Sequence, residues 1–401
     1  MPSPPLPLGA VSHHLDLQLR TGRLDRIHRQ IDETWRRSFG RPAELDAHDL
    51  LGRARHQALL EDFGSGSFRE GFDRLIDSLN DTADLHTFGR WAWRDRIVGL
   101  LMNRLAVRDW TKKQPLVHHE RVIAPLVITG FDLSGIERLA SVLQLDPNVR
   151  TPHDWEVATV CPPQSIGEPL PVAGRDPLRA DRPGSCDRLL GTEFVEPFEL
   201  DADIAAYGDW FTGCDMAPAY ELHHHQLKIL QSALPTTQWV LHGLAHAWHL
   251  GALVEQYPDA RIVWVHRDPV SILAESASHR AEAQAQTSEH RDDADFIDQW
   301  ADRIATGFAS AQSTRPAANV FDVQAIELSD DPVGMIEMIY RHFGLVLGDL
   351  GRHRMQAALM ADVIPSPPSR HPIEPDQIDA LRARFADYTS KLEVPTERPS
   401  P

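Results

Sequence analysis

Three sets of residues have types and spacings that could do chemistry. The first is Phe131-Asp132-Leu133-Ser134-Gly135-Ile136-Glu137, which follows the short apolar run Leu126-Val127-Ile128-Thr129-Gly130. An apolar run that ends in glycine and passes through a loop into a helix marks the edge of a sheet where nucleotides dock. There the backbone N–H groups and the positive end of the helix dipole both favour anions. Here Asp132 and Glu137 bring negative charge to that end, and Glu137, in the first helical turn, can answer the dipole itself. The second set is His242, His246 and His249, whose spacings of four and three could bring imidazoles to one face for a metal. His242 falls at the end of a strand, out of line with the other two, so no metal is expected there. His223-His224-His225 lie side by side in a helical stretch and cannot face one ion together. The third is Glu156, in Thr151-Pro152-His153-Asp154-Trp155-Glu156, an acid expected to order the long segment that follows it through hydrogen bonds.

The elements that must position these groups divide the chain in two. Residues 1–12 are Pro-rich and read as a disordered arm. From 13 to 120 apolar residues recur at helical spacing (Leu24, Ile27, Ile31 and Trp35; Leu75, Ile76 and Leu79; Ile97, Leu100, Leu101 and Leu105), which predicts a helical N-terminal region or cap. From 121 to 390 the pattern is α/β. Leu126–Gly130, Trp239-Val240-Leu241, Ile262-Val263-Trp264-Val265 and Val320-Phe321-Asp322-Val323 read as buried strands. Helices are expected from Ser134 through Leu143, over about 246–256 and over 333–343. This alternation predicts a parallel sheet with right-handed crossovers. Residues 160–200 are rich in Pro and Gly without periodicity and read as a lid, a binding loop or a partner-facing surface. The polar stretch 281–295 reads as a mobile helix or loop, and 391–401 as a flexible tail.

Bulk properties narrow the partners. With 58 acids against 40 bases the net charge is −18, which argues against nucleic acid or an anionic membrane as the main partner. Cys161, Cys186 and Cys214 are far apart, with no C-x-x-C pair, which fits a reducing compartment. There is no long apolar run, and the start, Met1-Pro2-Ser3-Pro4-Pro5, has no signal-peptide pattern, so a cytoplasmic location is expected.

Four stretches together resemble the bacterial branch of the PAPS-dependent sulfotransferase family (PAPS is 3′-phosphoadenosine 5′-phosphosulfate), over roughly residues 45–390. They are Pro125–Gly130 with the later Asp146-Pro147, and Trp239-Val240-Leu241-His242-Gly243 continuing to Leu250. The others are Tyr257-Pro258-Asp259-Ala260-Arg261 with His266-Arg267-Asp268-Pro269, and Asp331-Pro332 with Ile339-Tyr340-Arg341-His342-Phe343-Gly344. The resemblance implies a three-layer αβα, P-loop-like sulfotransferase fold with a central parallel sheet. It also implies sulfuryl transfer from PAPS to a hydroxyl or amine. In the family motif P-[RK]-S-G-T-T a cation and two hydroxyls meet the 5′-phosphosulfate. Of the motif's last five positions only Ser134 and Gly135 match here; the others are Leu133, Ile136 and Glu137. The strand-end lysine of V-L-K-S-P is replaced, the stretch reading His242-Gly243-Leu244. The 3′-phosphate pair retains Arg267, but the serine eight residues on is Glu275, with Ser276 and Ser278 nearby, and the late G-K-H motif reads Ser369-Arg370-His371.

By this resemblance Ser134, Gly135, Arg267 and Ser276 are what is left of the cofactor site, and Arg267 is expected to pair with a neighbouring acid such as Glu275. The reading is a binding or scaffolding pseudoenzyme that has lost PAPS-dependent transfer and holds no cofactor. Its partner would be a protein, a homologue, a second copy of the chain or a small molecule. The alternatives are an active sulfotransferase, or altered chemistry in the same cleft with His242, Glu137 and Glu156 as acid/base groups. Glu156 also matches a family position near the cleft and could line an acceptor pocket.

Overall fold

The computed structural model describes residues 44–163, 182–236, 238–289, 295–316, 318–361 and 373–397. The Pro-rich arm, the periodic run from Leu24 to Trp35 and Ser369-Arg370-His371 lie outside them.

Three helices come first, α1 (Ala47–Ala58), α2 (Arg69–Asp81) and α3 (Thr87–Lys113). Asp46 caps α1 by accepting from the Asp49 amide, and the His86 ring caps α3 at the Gly89 amide. Leu75, Ile76 and Leu79 of α2, and Ile97, Leu101 and Leu105 of α3, form the buried faces that their spacing predicts. Then follow β1 (Leu126–Gly130), α4 (Leu133–Leu143), α5 (Asp154–Ala158), α6 (Cys186–Leu190), α7 (Ala205–Phe211), α8 (Ala217–Ala233) and β2 (Val240–His242). After these come α9 (Leu250–Gln256), β3 (Arg261–His266), α10 (Pro269–Thr287), α11 (Phe296–Thr314) and β4 (Val320–Gln324). The described chain closes with α12 (Ala325–Asp330), α13 (Pro332–His342), α14 (Asp349–Met360), α15 (Pro375–Arg384) and α16 (Ala386–Lys391).

The four strands form one parallel sheet in the order β2-β1-β3-β4, with Leu126 beside both Val240 and Arg261 and Ile262 beside Val320. Every residue of β1 and β2 is buried, as expected of strands covered on both faces. The expected α/β class and parallel sheet are thus present. No described helix is long and apolar enough to cross a membrane.

Three details differ from the sequence reading. The helix expected over 246–256 is two pieces, a 3-10 turn at Ala245–Ala247 and α9, separated where His249 leaves helical geometry. Trp248, at the break, packs edge-on against Phe131 and Trp300, so tertiary contacts override the local helical pattern. Residues 182–200 are not a surface loop. Leu189, Leu190, Phe194 and Phe198 are fully buried, and Glu193 meets Arg104 of α3 in a buried ion pair. Single-turn helices there show no periodicity, which hid a core segment from pattern reading. At the end of the chain, Val394 is buried and the Glu397 amide donates to Asp268 at 2.9 Å, so residues 394–397 dock onto the body rather than fray. Residues 281–287 of the polar stretch continue α10, while 290–294 lie outside the described residues.

Candidate functional site

The loop after β1 is shaped by its flanks. Gly130 has φ of 138°, and a side chain there would overlap the Val265 carbonyl of the neighbouring strand. Phe131 then turns inward between Trp248 and Phe308, with ring centroids 4.8 and 4.7 Å away. This fixes where α4 begins and points its first amides at the sheet edge. Ile136 follows into the core and Glu137 reaches solvent.

That helix start holds an anion, and the anion is the protein's own. The Ser134 amide donates to Glu275 Oε1 at 2.9 Å and the Ser134 hydroxyl to Glu275 Oε2 at 2.9 Å. Arg267, at the end of β3, donates through Nη1 to Glu275 at 2.7 Å and to Asp132 at 2.8 Å, and through Nε to Glu397 at 2.8 Å. The pairing of Arg267 with Glu275 expected from the sequence is therefore present. Glu275 rather than Ser276 meets the arginine; Ser276 is half-buried one position further along α10. Burial, reinforced by Asp132, raises the Glu275 pKa, while Arg267 and Ser134 oppose the rise. Burial would lower that of Arg267, but the three carboxylates outweigh it and hold the guanidinium above its ordinary value. Asp268 caps α10 through the Val270 amide and receives the Glu397 amide, which seats the tail over the arginine. Gly135 packs so closely that a side chain there would meet Asp132 and, at 2.9 Å, Val265.

The amide, hydroxyl and guanidinium donors already serve carboxylates, and Leu133, Ile136 and Glu137 add no cation or hydroxyl.

The three acid/base candidates are not brought together; among the described residues no hydrogen bond joins any two of them. Glu156 is 2% exposed, accepts from Arg150 at 2.5 Å and closes a capping box through the His153 amide at 2.9 Å. Arg150 also donates to the Leu230 and Leu234 carbonyls, so Glu156 ties α5 to the end of α8; residues 164–181 of the segment it was expected to order lie outside the described residues. His242 is 3% exposed, its Nδ1 has no partner among the described residues, and burial lowers its pKa to about 4. Glu137 is exposed beside a group of charged residues. The surrounding protein thins the water around its carboxylate and raises its pKa, with Glu275 and Asp187 adding to the rise and His279 and Arg182 opposing it. In that group Arg96 bridges Asp201 and Glu196 at 2.6 and 2.7 Å, and His279 lies 3.4 Å from Asp201.

Sequence reasoning missed Asp132 and Glu397 as partners of Arg267, because both depend on long-range register. It also missed the convergence of Cys186, His223 and His246, which come from three separate elements. A groove of about 790 Å³ lined by residues including Phe63, Arg104, Arg108, His225 and Lys228 shares no residue with the loop and takes no part in this site.

Known proteins supply the context for this geometry. The chain is similar in structure to a sulfotransferase from Mycobacterium avium, STF9, with a TM-score of 0.78 and 23% identity, over 88% of this chain and 100% of that one. It is likewise similar to the sulfotransferase STF1 of Mycobacterium tuberculosis H37Rv, with a TM-score of 0.73 and 25% identity, over 86% of this chain and 99% of that one. No curated protein matches the sequence at a significant level. The model of the Sulfotransferase family matches residues 125–349, more than half of the chain, and includes the strand, the loop, Arg267 and Glu275. The chain belongs to the sulfotransferase family.

Proposed function

We propose that this family member does not transfer sulfuryl groups from PAPS and acts instead as a binding or scaffolding protein. The observation that supports this reading is the carboxylate of Glu275, which takes the amide and hydroxyl of Ser134 together with the guanidinium of Arg267. A phosphate arriving there would have to displace a buried carboxylate from three donors. Hydrogen bonds to charged groups are each worth about 1.5–3 kcal/mol, so losing two or three weakens binding by about 4 kcal/mol or more. That is on the order of a thousandfold in affinity. Asp132 and Glu397, already on Arg267, add like-charge repulsion. The neighbouring charged residues, Glu137, Glu196 and Asp201 against Arg96 and His279, suit a neutral or cationic ligand or a partner's basic group better than a bisphosphate.

Calorimetric titration with 3′-phosphoadenosine 5′-phosphate tests the reading. The native chain is expected to bind more weakly than about 1 mM, and submicromolar affinity would overturn the proposal. Replacing Glu275→Ser together with Leu133→Arg, Ile136→Thr and Glu137→Thr is expected to raise affinity at least tenfold, about 1.4 kcal/mol.

A further inference from the structure

A second polar group lies in the core, away from the anion seat. Cys186 at the start of α6, His223 in the middle of α8 and His246 in the turn Ala245–Ala247 place one ligand atom each within 4.8 Å of one another. All three residues are 0% exposed. Both rings are held by tyrosines: His223 Nδ1 is hydrogen-bonded with the Tyr257 hydroxyl at 2.7 Å, and His246 Nδ1 with the Tyr220 hydroxyl at 2.8 Å. The other ring nitrogen, Nε2, is buried in both residues without a partner among the described residues. Two orphaned nitrogens in one buried group are unusual, since buried polar atoms are nearly always hydrogen-bonded. Gly243 keeps space open at this point: a side chain there would come within 3.2 Å of His246 Nε2, although the glycine does not have the positive φ that would otherwise require it.

We infer that Cys186 Sγ with Nε2 of His223 and of His246 forms a site for a divalent transition-metal ion of borderline softness, with Zn²⁺ the natural occupant. Thiolate and imidazole are the ligands zinc prefers. A second group holding the far nitrogen of each ligating histidine, here Tyr257 and Tyr220, is the usual way to fix tautomer and ring orientation. Binding through the thiolate releases one proton: Zn²⁺ and Cys–SH give Zn–S–Cys and H⁺, with the histidines ligating as neutral rings. The ion would tie α6 and α8 to the turn after β2, securing the buried segment on the sheet edge. The sequence leads to no metal at His242, His246 and His249; the fold instead places His246 beside Cys186 of α6 and His223 of α8.

Metal analysis and Co²⁺ spectroscopy on the full chain test this. Protein made in zinc-supplemented medium is expected to keep about one Zn²⁺ per chain through gel filtration, and the Co²⁺-loaded chain to show thiolate-to-metal charge-transfer absorption. Cys186→Ser and His246→Gln should each lose the ion, whereas His249→Gln, outside the group, should retain it. Tyr220→Phe should weaken binding about tenfold. A native chain that takes up no zinc, or Co²⁺ bound without the charge-transfer band, would overturn the proposal. Because both readings come from the native chain, misfolding of a variant does not affect the outcome.

Discussion

At the scale of single residues, the fate of each carboxylate decides its role. Glu275 and Glu156 are both buried acids facing an arginine, yet they do different work. Glu275 takes the donors at the start of α4, whereas Glu156 joins α5 to the end of α8 through Arg150. Removing one partner of a buried ion pair costs about 3–5 kcal/mol, because the other charge is left uncompensated. Glu156→Ala should therefore lower the urea midpoint by an amount equal to about 3 kcal/mol or more. A variant that kept full stability would return Glu156 to the list of acid/base candidates. Glu137 was legible as an acid at the helix start, and its place on the open side follows from Ile136 turning inward.

At the scale of elements, the geometry of the site rests on the strand-to-helix turn. Gly130 has a φ that only glycine adopts without strain, and β3 runs too close for a side chain. Phe131, 2% exposed, locks the turn into an aromatic group with Trp248 and Phe308. Gly130→Ala is expected to combine backbone strain with a clash against the Val265 carbonyl and to destabilise the chain by about 3 kcal/mol or more. Thermal or urea unfolding measures this, and a change below about 0.5 kcal/mol, the size of an ordinary surface substitution, would show that the turn can relax elsewhere. The β1 glycine and the run before it were readable from the sequence because a buried parallel strand is a continuous apolar run. The break between Ala247 and α9 was not, because the burial of Trp248 against residues far along the chain decides it.

For the whole molecule, buried neutral histidines make stability depend on pH. His242 is held down to about 4 in the folded chain by burial, against an ordinary value of 6.5. Between these values the unfolded chain binds the proton and the folded chain does not. The stability is therefore complete above about pH 6.5 and is lost as pH falls toward 4, by on the order of 3 kcal/mol for this group. Urea denaturation of the native chain and of His242→Gln at pH 7 and pH 4.5 checks the sign. The variant should lose less stability on acidification, and an equal loss in both would mean that His242 is hydrated enough to protonate in place.

The sequence by itself determined the α/β architecture and the side chains that the loop after β1 can offer. The apolar runs at 126–130, 239–241 and 262–265 read as buried strands and are buried, whereas β4, expected to be buried as well, lies at the sheet edge with only Val323 buried. Leu133, Ile136 and Glu137 bring neither a cation nor a hydroxyl to the loop, wherever it sits. Only the tertiary structure decided what fills the seat instead. The register between β1 and β3 and the docking of residues 394–397 bring Asp132, Glu275 and Glu397 onto one guanidinium. The packing of α6 and α8 on the turn after β2 gathers Cys186, His223 and His246. Both groups draw on residues far apart in the chain, and local pattern carries no information about contacts that form only when separate elements pack.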